Sequence, residues 1–309
     1  MLEFRILGPV ELWSDNSELP LNGKKQRTML AALLLADEQV LPDYRLGEVL
    51  WGKNPPDTYQ AQIYTYASRL RHHLDGQAEI VRKGAGYLLR AVSGRFDYRE
   101  FQALCAASRT ALRERNFREA TRVLQEALAL WRGPTLTDVT EQLMETAGPG
   151  IEEARMEALE NRISADLALG GHEELTPELV ALVGTHPLRE RLRAQLMVAL
   201  YMSNRQADAF AAYHAGQRHL QEELGVDPGP ALRHAYQAIL TGEPEAVWHE
   251  PADLPAHPRG YGTPLSVRRG PTAVPDQLTI PGRLVVRAPR QESRLGAGTR
   301  FGKARRCYP

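Results

Sequence analysis

The order of secondary-structure signals in the first 95 residues restricts the fold of this chain more than any other feature. Short strand patterns come first, three helical patterns follow, and a β-hairpin closes the segment. The helices are predicted at residues 24–36, 44–50 and 59–74, and the hairpin at residues 80–83 and 87–90 around a Gly-Ala-Gly turn. Strands, three helices and a hairpin in this order predict a winged helix-turn-helix domain at residues 1–95.

The third predicted helix has one apolar face, and its other faces are neutral or basic. The apolar residues at helical spacing are Ile63, Ala67, Leu70 and Leu74. Residues 59–74 contain no acidic residue, and neither do residues 80–90 of the hairpin. A helix and a hairpin without carboxylates favour contact with a polyanion such as DNA. The alternative is an ordinary solvated face that carries arginines.

Residues 96–245 are predicted to be almost wholly helical. Two helix-to-helix turns, at Gly170 and Asn204, lie 34 residues apart, which is the period of tetratricopeptide repeats, and Asn116 begins a similar turn. Gly225 suits a helix end, and Asp227-Pro228 suits the start of the next helix. The helices expected after residue 150 lie at residues 151–169, 177–184, 188–202, 206–224 and 231–240. The segment therefore predicts an all-α, tetratricopeptide-like stack of paired helices.

The net charge of the whole chain is zero, but the charge is distributed unevenly. Residues 1–95 hold 12 basic and 11 acidic residues, residues 96–245 hold 15 and 23, and residues 246–309 hold 11 and 4. The last segment is rich in Pro, Gly and Arg and is expected to be a disordered tail, because it cannot bury enough apolar surface. The predicted fold class is mainly α: an α+β winged helix, then a helical repeat domain.

The sequence predicts neither a membrane protein nor an enzyme. No apolar run reaches the ~18 to 20 residues of a membrane span, and charged residues interrupt the first 13 positions, so a cytoplasmic protein without membrane contact is expected. His72 and His73 are adjacent and diverge by about 100° on a helix, so they cannot ligate one metal. Cys105 lies in an apolar stretch and is expected in the core. We expect no catalytic residue, cofactor or metal site.

Four motifs, taken in order, resemble one bacterial family. They are SRLR at residues 68–71 with the hairpin after it, LWRGPTL at residues 130–136, HPLRERLRAQLM at residues 186–197 and ELGVDPGP at residues 223–230. They resemble the Streptomyces antibiotic regulatory proteins, in which an OmpR-type winged helix precedes a bacterial transcriptional activation domain. The resemblance covers residues 1–241. It implies an activator of an antibiotic or other secondary-metabolite gene cluster, in the small form, since the sequence has no GxxxxGK[ST] loop.

The resemblance also implies which residues contact DNA. In OmpR-type winged helices the third helix enters the major groove, so Arg69 is expected to contact a base and Arg71 a base or a phosphate. The other candidates are Thr65, Ser68 and His72 on the same helix, Arg82, Lys83 and Tyr87 on the hairpin, and Lys25 and Arg27 at the start of the first helix. For the cations of the first helix, a role in solubility alone is an equal alternative.

The expected partners are double-stranded DNA and RNA polymerase holoenzyme. The resemblance implies a direct-repeat operator, bound by two copies side by side as a dimer on DNA. The loop at residues 51–57 and the acidic helical domain are expected to contact the sigma or alpha subunit of the polymerase. In this loop Trp51 is expected to anchor in the core while Lys53 and Asn54 point outward. The alternative is that the loop only connects two helices.

A second hypothesis places the main contacts elsewhere. The chain would then be a helical-repeat scaffold for protein interactions, or a ligand-gated regulator whose main partner is a protein or a small molecule. The helix and hairpin without carboxylates favour the DNA hypothesis. Salt dependence of duplex binding distinguishes the two, because neutralising phosphates releases counterions.

Overall fold

The strands and helices follow the order that the sequence predicts. The computed structural model describes residues 1–74, 76–91 and 94–244; the predicted tail lies outside them. The strands are β1 (Leu2–Arg5), β2 (Glu11–Ser14), β3 (Ser17–Leu19), β4 (Leu41–Pro42), β5 (Ala78–Arg82), β6 (Gly86–Ala91) and β7 (Gly94–Phe96). The helices are α1 (Lys24–Leu35), α2 (Asp43–Trp51), α3 (Tyr59–Leu74), α4 (Asp97–Arg113), α5 (Phe117–Ala129), α6 (Glu141–Ala168), α7 (His172–Thr185), α8 (Glu190–Met202), α9 (Gln206–Leu224) and α10 (Pro230–Thr241). The fold is mainly α, as predicted.

A four-stranded sheet begins the chain, in the order β3-β2-β1-β7. Leu2 and Phe4 of β1 and Leu12 of β2 are fully buried and alternate with less buried residues, so one face of the sheet packs on the core. β7 pairs with β1 in parallel, with Phe96 opposite Phe4. No sequence pattern predicts β7, because a strand of three residues is too short to show alternation.

The predicted winged helix is present. α1, α2 and α3 pack together, and the three-stranded sheet β4-β6-β5 lies beside them. Gly86 allows β6 to approach β4, because a Cβ atom there would lie 2.7 Å from the carbonyl oxygen of Leu41. Leu30, Leu46 and Ile63, one from each helix, belong to the same buried cluster as the first sheet. This core holds α3 with one face inward and the β5–β6 hairpin beside it.

Two details of this part differ from the sequence prediction. β5 begins at Ala78, two residues early, so the hairpin includes the carboxylate of Glu79. α2 begins at Asp43, one residue before the predicted range of 44–50, and Asp43 makes no capping hydrogen bond. The reason is that its carboxylate binds Arg82 and is not available to the amides of the first helical turn.

Three helix-to-helix turns of the second part share one geometry. After α4, α6 and α8, one residue adopts a left-handed backbone conformation: Arg115, Gly170 or Asn204. The amide of the next residue then donates to a carbonyl five residues back, as in a Schellman motif. These bonds run from Asn116 to Ala111, from Gly171 to Asp166 and from Arg205 to Leu200. The predicted turns are confirmed, and the paired helices form a tetratricopeptide-like stack.

Two helix starts differ from the prediction. α6 begins at Glu141, ten residues before the predicted start, and runs through Gly148-Pro149-Gly150. These residues disfavour a helix interior, but burial of Leu143 and Ala147 in the first core keeps the segment helical. α7 begins at His172 and contains Pro177.

The N-cap of α10 is Gly229, two residues beyond Asp227, at which the sequence predicts the start of this helix, and Pro230 lies in the first turn. The Glu190 carboxylate accepts the N–H of Gly229 at 2.6 Å, and a Cβ atom at Gly229 would lie 2.7 Å from it. Only glycine fits this contact without a shift, and the contact joins the start of α8 to the start of α10. Gly225, predicted at the end of α9, is left-handed as expected.

The LWRGPTL motif joins the first sheet to the helices that follow. The N–H groups of Arg132 and Leu136 donate to the carbonyl oxygens of Leu7 and Gly8, at 2.8 and 3.0 Å. The Arg132 guanidinium also pairs with Glu11 at 2.6 Å. The first buried cluster contains side chains from both sides of residue 95, so the winged helix and the first helices of the second part share a core.

Candidate nucleic-acid interface

α3 presents an apolar face to the core and a polar face to solvent. Its buried residues are Ile63, Ala67, Leu70 and Leu74, as predicted. Thr65, Ser68, Arg69 and His72 are exposed. In the described part of the chain, no hydrogen bond or ion pair engages the guanidinium of Arg69. An open concavity beside this face is lined by Asn22, Ser68, Arg69, Arg71, His72 and His73. The face combines free donors with positive charge, which contact with phosphates and base edges requires.

Tyr64 also lies on the polar face, and sequence reasoning missed it. Its side chain is 62% exposed, which is unusual for a large aromatic residue. Tyr66 by contrast packs beside Trp51, with ring centroids 6.4 Å apart. Helical spacing is the signal that distinguishes them, since Tyr66 follows the buried Ile63 by three residues and shares its side of the helix.

Arg71 differs from Arg69 although both are on α3. Its Nε donates to the carbonyl oxygen of Ile80 on β5, at 2.7 Å. Its guanidinium also lies 5.8 Å from the centre of the Tyr87 ring. Arg71 is half-buried and connects α3 to the hairpin, so only part of its guanidinium faces solvent.

The three hairpin residues that are predicted to contact DNA lie in different environments. Lys83 is exposed, next to the turn. Arg82 makes two hydrogen bonds to Asp43, at 2.7 and 2.6 Å, and these raise the pKa of its guanidinium. Tyr87 is only 1% exposed, so the prediction that it contacts DNA is wrong. The ring is buried because β6 turns it toward the core, beneath the guanidinium of Arg82 at 4.6 Å.

The predicted cations of α1 have partners within the chain. Arg27 pairs with Asp138 of the helical part at 3.0 Å, so it faces that part and is a poor candidate for a phosphate contact. The ammonium of Lys25 lies 4.5 Å from the centre of the Trp51 ring. Lys24 at the start of α1 is exposed. Sequence alone could not separate these cations, because their partners come from distant segments.

The loop at residues 51–57 has the arrangement that the sequence predicts. Trp51 packs against the first core, while Lys53 and Asn54 are exposed. The loop lies against the start of α6: a Cβ atom at Gly52 would lie 3.4 Å from the side chain of Gln142. Thr140 holds this contact, since its hydroxyl donates to the carbonyl oxygen of Val49 in α2.

The remaining chemistry of the described residues concerns metal ligands, membrane-spanning helices and the thiol of Cys105. Within the described residues, no group of three or more His, Cys, Asp or Glu side chains is placed to hold a metal ion. None of their helices combines the length and apolarity that crossing a bilayer requires. Cys105 is half-buried, and burial raises the pKa of its thiol to about 11, so the thiolate is disfavoured.

The chain is similar to known bacterial regulatory proteins. Residues 96–240 match the family described as the bacterial transcriptional activator domain. The regulatory protein AfsR of Streptomyces griseus is 40% identical over 275 residues, covering 89% of this chain and 28% of AfsR. The transcriptional regulator RedD of Streptomyces coelicolor is 35% identical over 263 residues, covering 81% of this chain and 75% of RedD. The chain thus spans less than a third of AfsR but three quarters of RedD.

A solved structure with a similar fold also has detectable sequence similarity to this chain. It is Mycobacterium tuberculosis EmbR in complex with a low-affinity phosphopeptide, with a TM-score of 0.74 and 32% identity. The match covers 80% of this chain and 68% of the EmbR chain. A match of this extent includes both the winged helix and the helical repeats.

Proposed function

This chain belongs to the Streptomyces antibiotic regulatory protein family of transcriptional regulators, and from this we propose that it binds a specific DNA sequence and activates a secondary-metabolite gene cluster. The observation that supports DNA binding most is the polar face of α3. It carries a free arginine, hydroxyl groups and imidazoles, and no carboxylate. Because the proposed partners of the protein are chromosomal DNA and RNA polymerase, the proposed location of the protein is the cytoplasm.

Arg69 reads a base in the major groove in this proposal, and Ser68, Thr65 and His72 lie beside it. Arg69 is the side chain of the face best suited to a bidentate contact, because no group in the described part of the chain occupies its guanidinium donors. Lys83 contacts a phosphate or the minor groove beside the site. A salt titration of duplex binding tests DNA contact itself. We expect log affinity to fall by roughly 0.9 for each neutralised phosphate per decade of salt. Binding that is absent or independent of salt supports the scaffold hypothesis instead.

We further propose that two copies bind side by side on a direct repeat. Copies on one face of the duplex need a centre-to-centre spacing of roughly 10–10.5 bp or a multiple of it. Inserting about half a helical turn between the repeats rotates one copy to the opposite face, and cooperativity should disappear. A full-turn insertion is the matched control. Cooperativity that survives the half-turn insertion contradicts the side-by-side arrangement.

The loop at residues 51–57, together with the helical part, is proposed to recruit RNA polymerase through its sigma or alpha subunit. Lys53 and Asn54 are exposed, and the acidic start of α6 adjoins the loop, with Glu141 and Glu145 also exposed. The two parts thus offer one continuous surface of mixed charge. Pro55 and Pro56 restrict the loop, which lowers the entropy lost on docking.

A Lys53→Ala, Asn54→Ala double variant tests this step. It should keep operator affinity and lose transcription in a purified system. Lys83→Ala is the opposite control: it should bind more weakly but activate fully once the operator is saturated. Full transcription from the double variant would remove the loop from the proposal and leave the helical part as the contact.

A further inference from the structure

Asp43 holds the hairpin at its turn through backbone and side-chain bonds. Its N–H donates to the carbonyl oxygen of Ala85 in the turn, at 2.8 Å. Its carboxylate accepts two hydrogen bonds from Arg82, one to each oxygen. Only 8% of the Asp43 side chain is exposed, against 45% of the Arg82 side chain. A bidentate pair of this kind fixes orientation as well as distance.

Tyr87 extends this contact to α3. Its buried ring lies 4.6 Å from the Arg82 guanidinium and 5.8 Å from that of Arg71. Arg71 in turn donates to the carbonyl oxygen of Ile80 on the neighbouring strand. The chain of contacts therefore runs from α2, through the hairpin, to the polar face of α3.

We infer that the Asp43–Arg82 pair positions the hairpin against DNA and is not itself the DNA contact. This inference rests on the proposed DNA binding. Arg82 directs two of its donors to Asp43, while Lys83 is exposed beside the turn. The pair fixes the angle between the hairpin and α3, and Lys83 reaches the duplex only when that angle is held. Arg82 is a positioning residue, and Asp43 is its partner.

Substitution of Asp43 distinguishes its proposed role in positioning the hairpin from the effect of its negative charge on DNA binding. Asp43→Asn removes a negative charge near the proposed interface, so electrostatics alone predicts tighter DNA binding. The structure predicts the opposite, because an amide cannot accept two charge-assisted hydrogen bonds and the hairpin is released. We expect affinity to fall about tenfold. Glu79→Gln is the matched control, since it removes the same charge from β5, and in the described residues no partner engages the Glu79 carboxylate.

Arg82→Lys is the second variant that tests the inference. It keeps the positive charge and loses the two-point geometry. If Arg82 contacted a phosphate, Lys would largely preserve affinity; if Arg82 positions the hairpin, affinity falls about as far as in Asp43→Asn. The double variant should bind no more weakly than either single variant, since both remove one interaction.

Hydroxyl-radical footprinting separates the hairpin from α3. The probe is a duplex selected from a random library with the wild-type chain. Both variants should lose protection beside the site, where the hairpin lies, and keep protection at the centre, where α3 lies. Simple unfolding would remove both, and a melting curve for each variant identifies it.

The outcomes separate the inference from the proposed function. If the wild-type chain selects no duplex, the proposed function fails and this inference fails with it. If the wild-type chain binds and Asp43→Asn binds equally well or better, only the inference is overturned. Wild-type affinity in Arg82→Lys overturns it as well, and this arm decides if Asp43→Asn does not fold. Flank protection lost in both variants and kept in Glu79→Gln supports it.

Discussion

The tripeptide Arg-Leu-Arg occurs in two helices of this chain and has different surroundings in each. In α3 it is Arg69-Leu70-Arg71, and in α8 it is residues 191–193. The leucine is fully buried in both helices. The arginines differ, because Arg69 of α3 is exposed and has no partner among the described residues, whereas both arginines of α8 make hydrogen bonds to neighbouring segments.

The α8 arginines hold helices together. Arg191 donates to the side-chain oxygen of Asn161 on α6 at 2.7 Å. Arg193 is only 5% exposed and donates to the carbonyl oxygens of Pro187 and Ala212, at 3.1 and 3.3 Å. Arg193 also fills the space next to Gly216, where a Cβ atom would lie 2.3 Å from it. Position within the fold, and not the tripeptide itself, decides whether an arginine joins helices or stays exposed to solvent.

The largest expected effect is on stability. Arg193→Ala should lower the free energy of unfolding by about 3 kcal/mol, because it leaves a cavity and two carbonyl oxygens without their donors. Denaturant unfolding measures this change. Arg205→Ala is the control, since its ion pair with Asp208 is exposed and should contribute less than about 1 kcal/mol. Equal losses in the two variants would contradict the distinction between held and free arginines.

The next effect concerns recognition. Arg69→Ala should weaken binding to the selected duplex by about 1–3 kcal/mol and relax the base preference at one position. Its free energy of unfolding should change by less than about 0.5 kcal/mol, since its side chain is exposed and pairs with no group in the described residues. Competition between selected and random duplexes provides the measurement. An unchanged ratio of the two affinities would show that Arg69 does not contact a base.

The smallest effect belongs to the exposed lysine of the hairpin. Lys83→Ala should weaken binding to selected and random duplexes equally, and lower the slope of log affinity against log salt by about 1. A phosphate contact carries no base information, so specificity should be kept. A loss of specificity larger than that of Arg69→Ala would contradict these roles, because it would indicate that the hairpin contacts bases.

Features that depend on local patterns were predictable from the sequence. The buried face of α3 follows from helical spacing, and the turns at Gly170 and Asn204 follow from residues that tolerate left-handed backbone. The outward position of Lys53 and Asn54 follows from the anchoring of the same loop by Trp51.

Features that depend on distant partners were not predictable. Arg27 and Arg82 look like free cations in sequence, but Asp138 and Asp43 approach them only in the fold. Tyr87 is polar enough to suit a surface, yet it is buried between strands and arginines. Likewise, helix α6 begins at Glu141 because of tertiary packing, which outweighs the unfavourable residues within it.

Selection from a random duplex library with the purified chain measures sequence-specific binding itself. Enriched duplexes should carry two copies of one short element in the same orientation, with centres about 10–10.5 bp apart or a multiple of that spacing. The same selection with Arg69→Ala should lose base preference at one position of each copy. A library that emerges without any enriched element would contradict sequence-specific binding by α3 and favour the scaffold hypothesis.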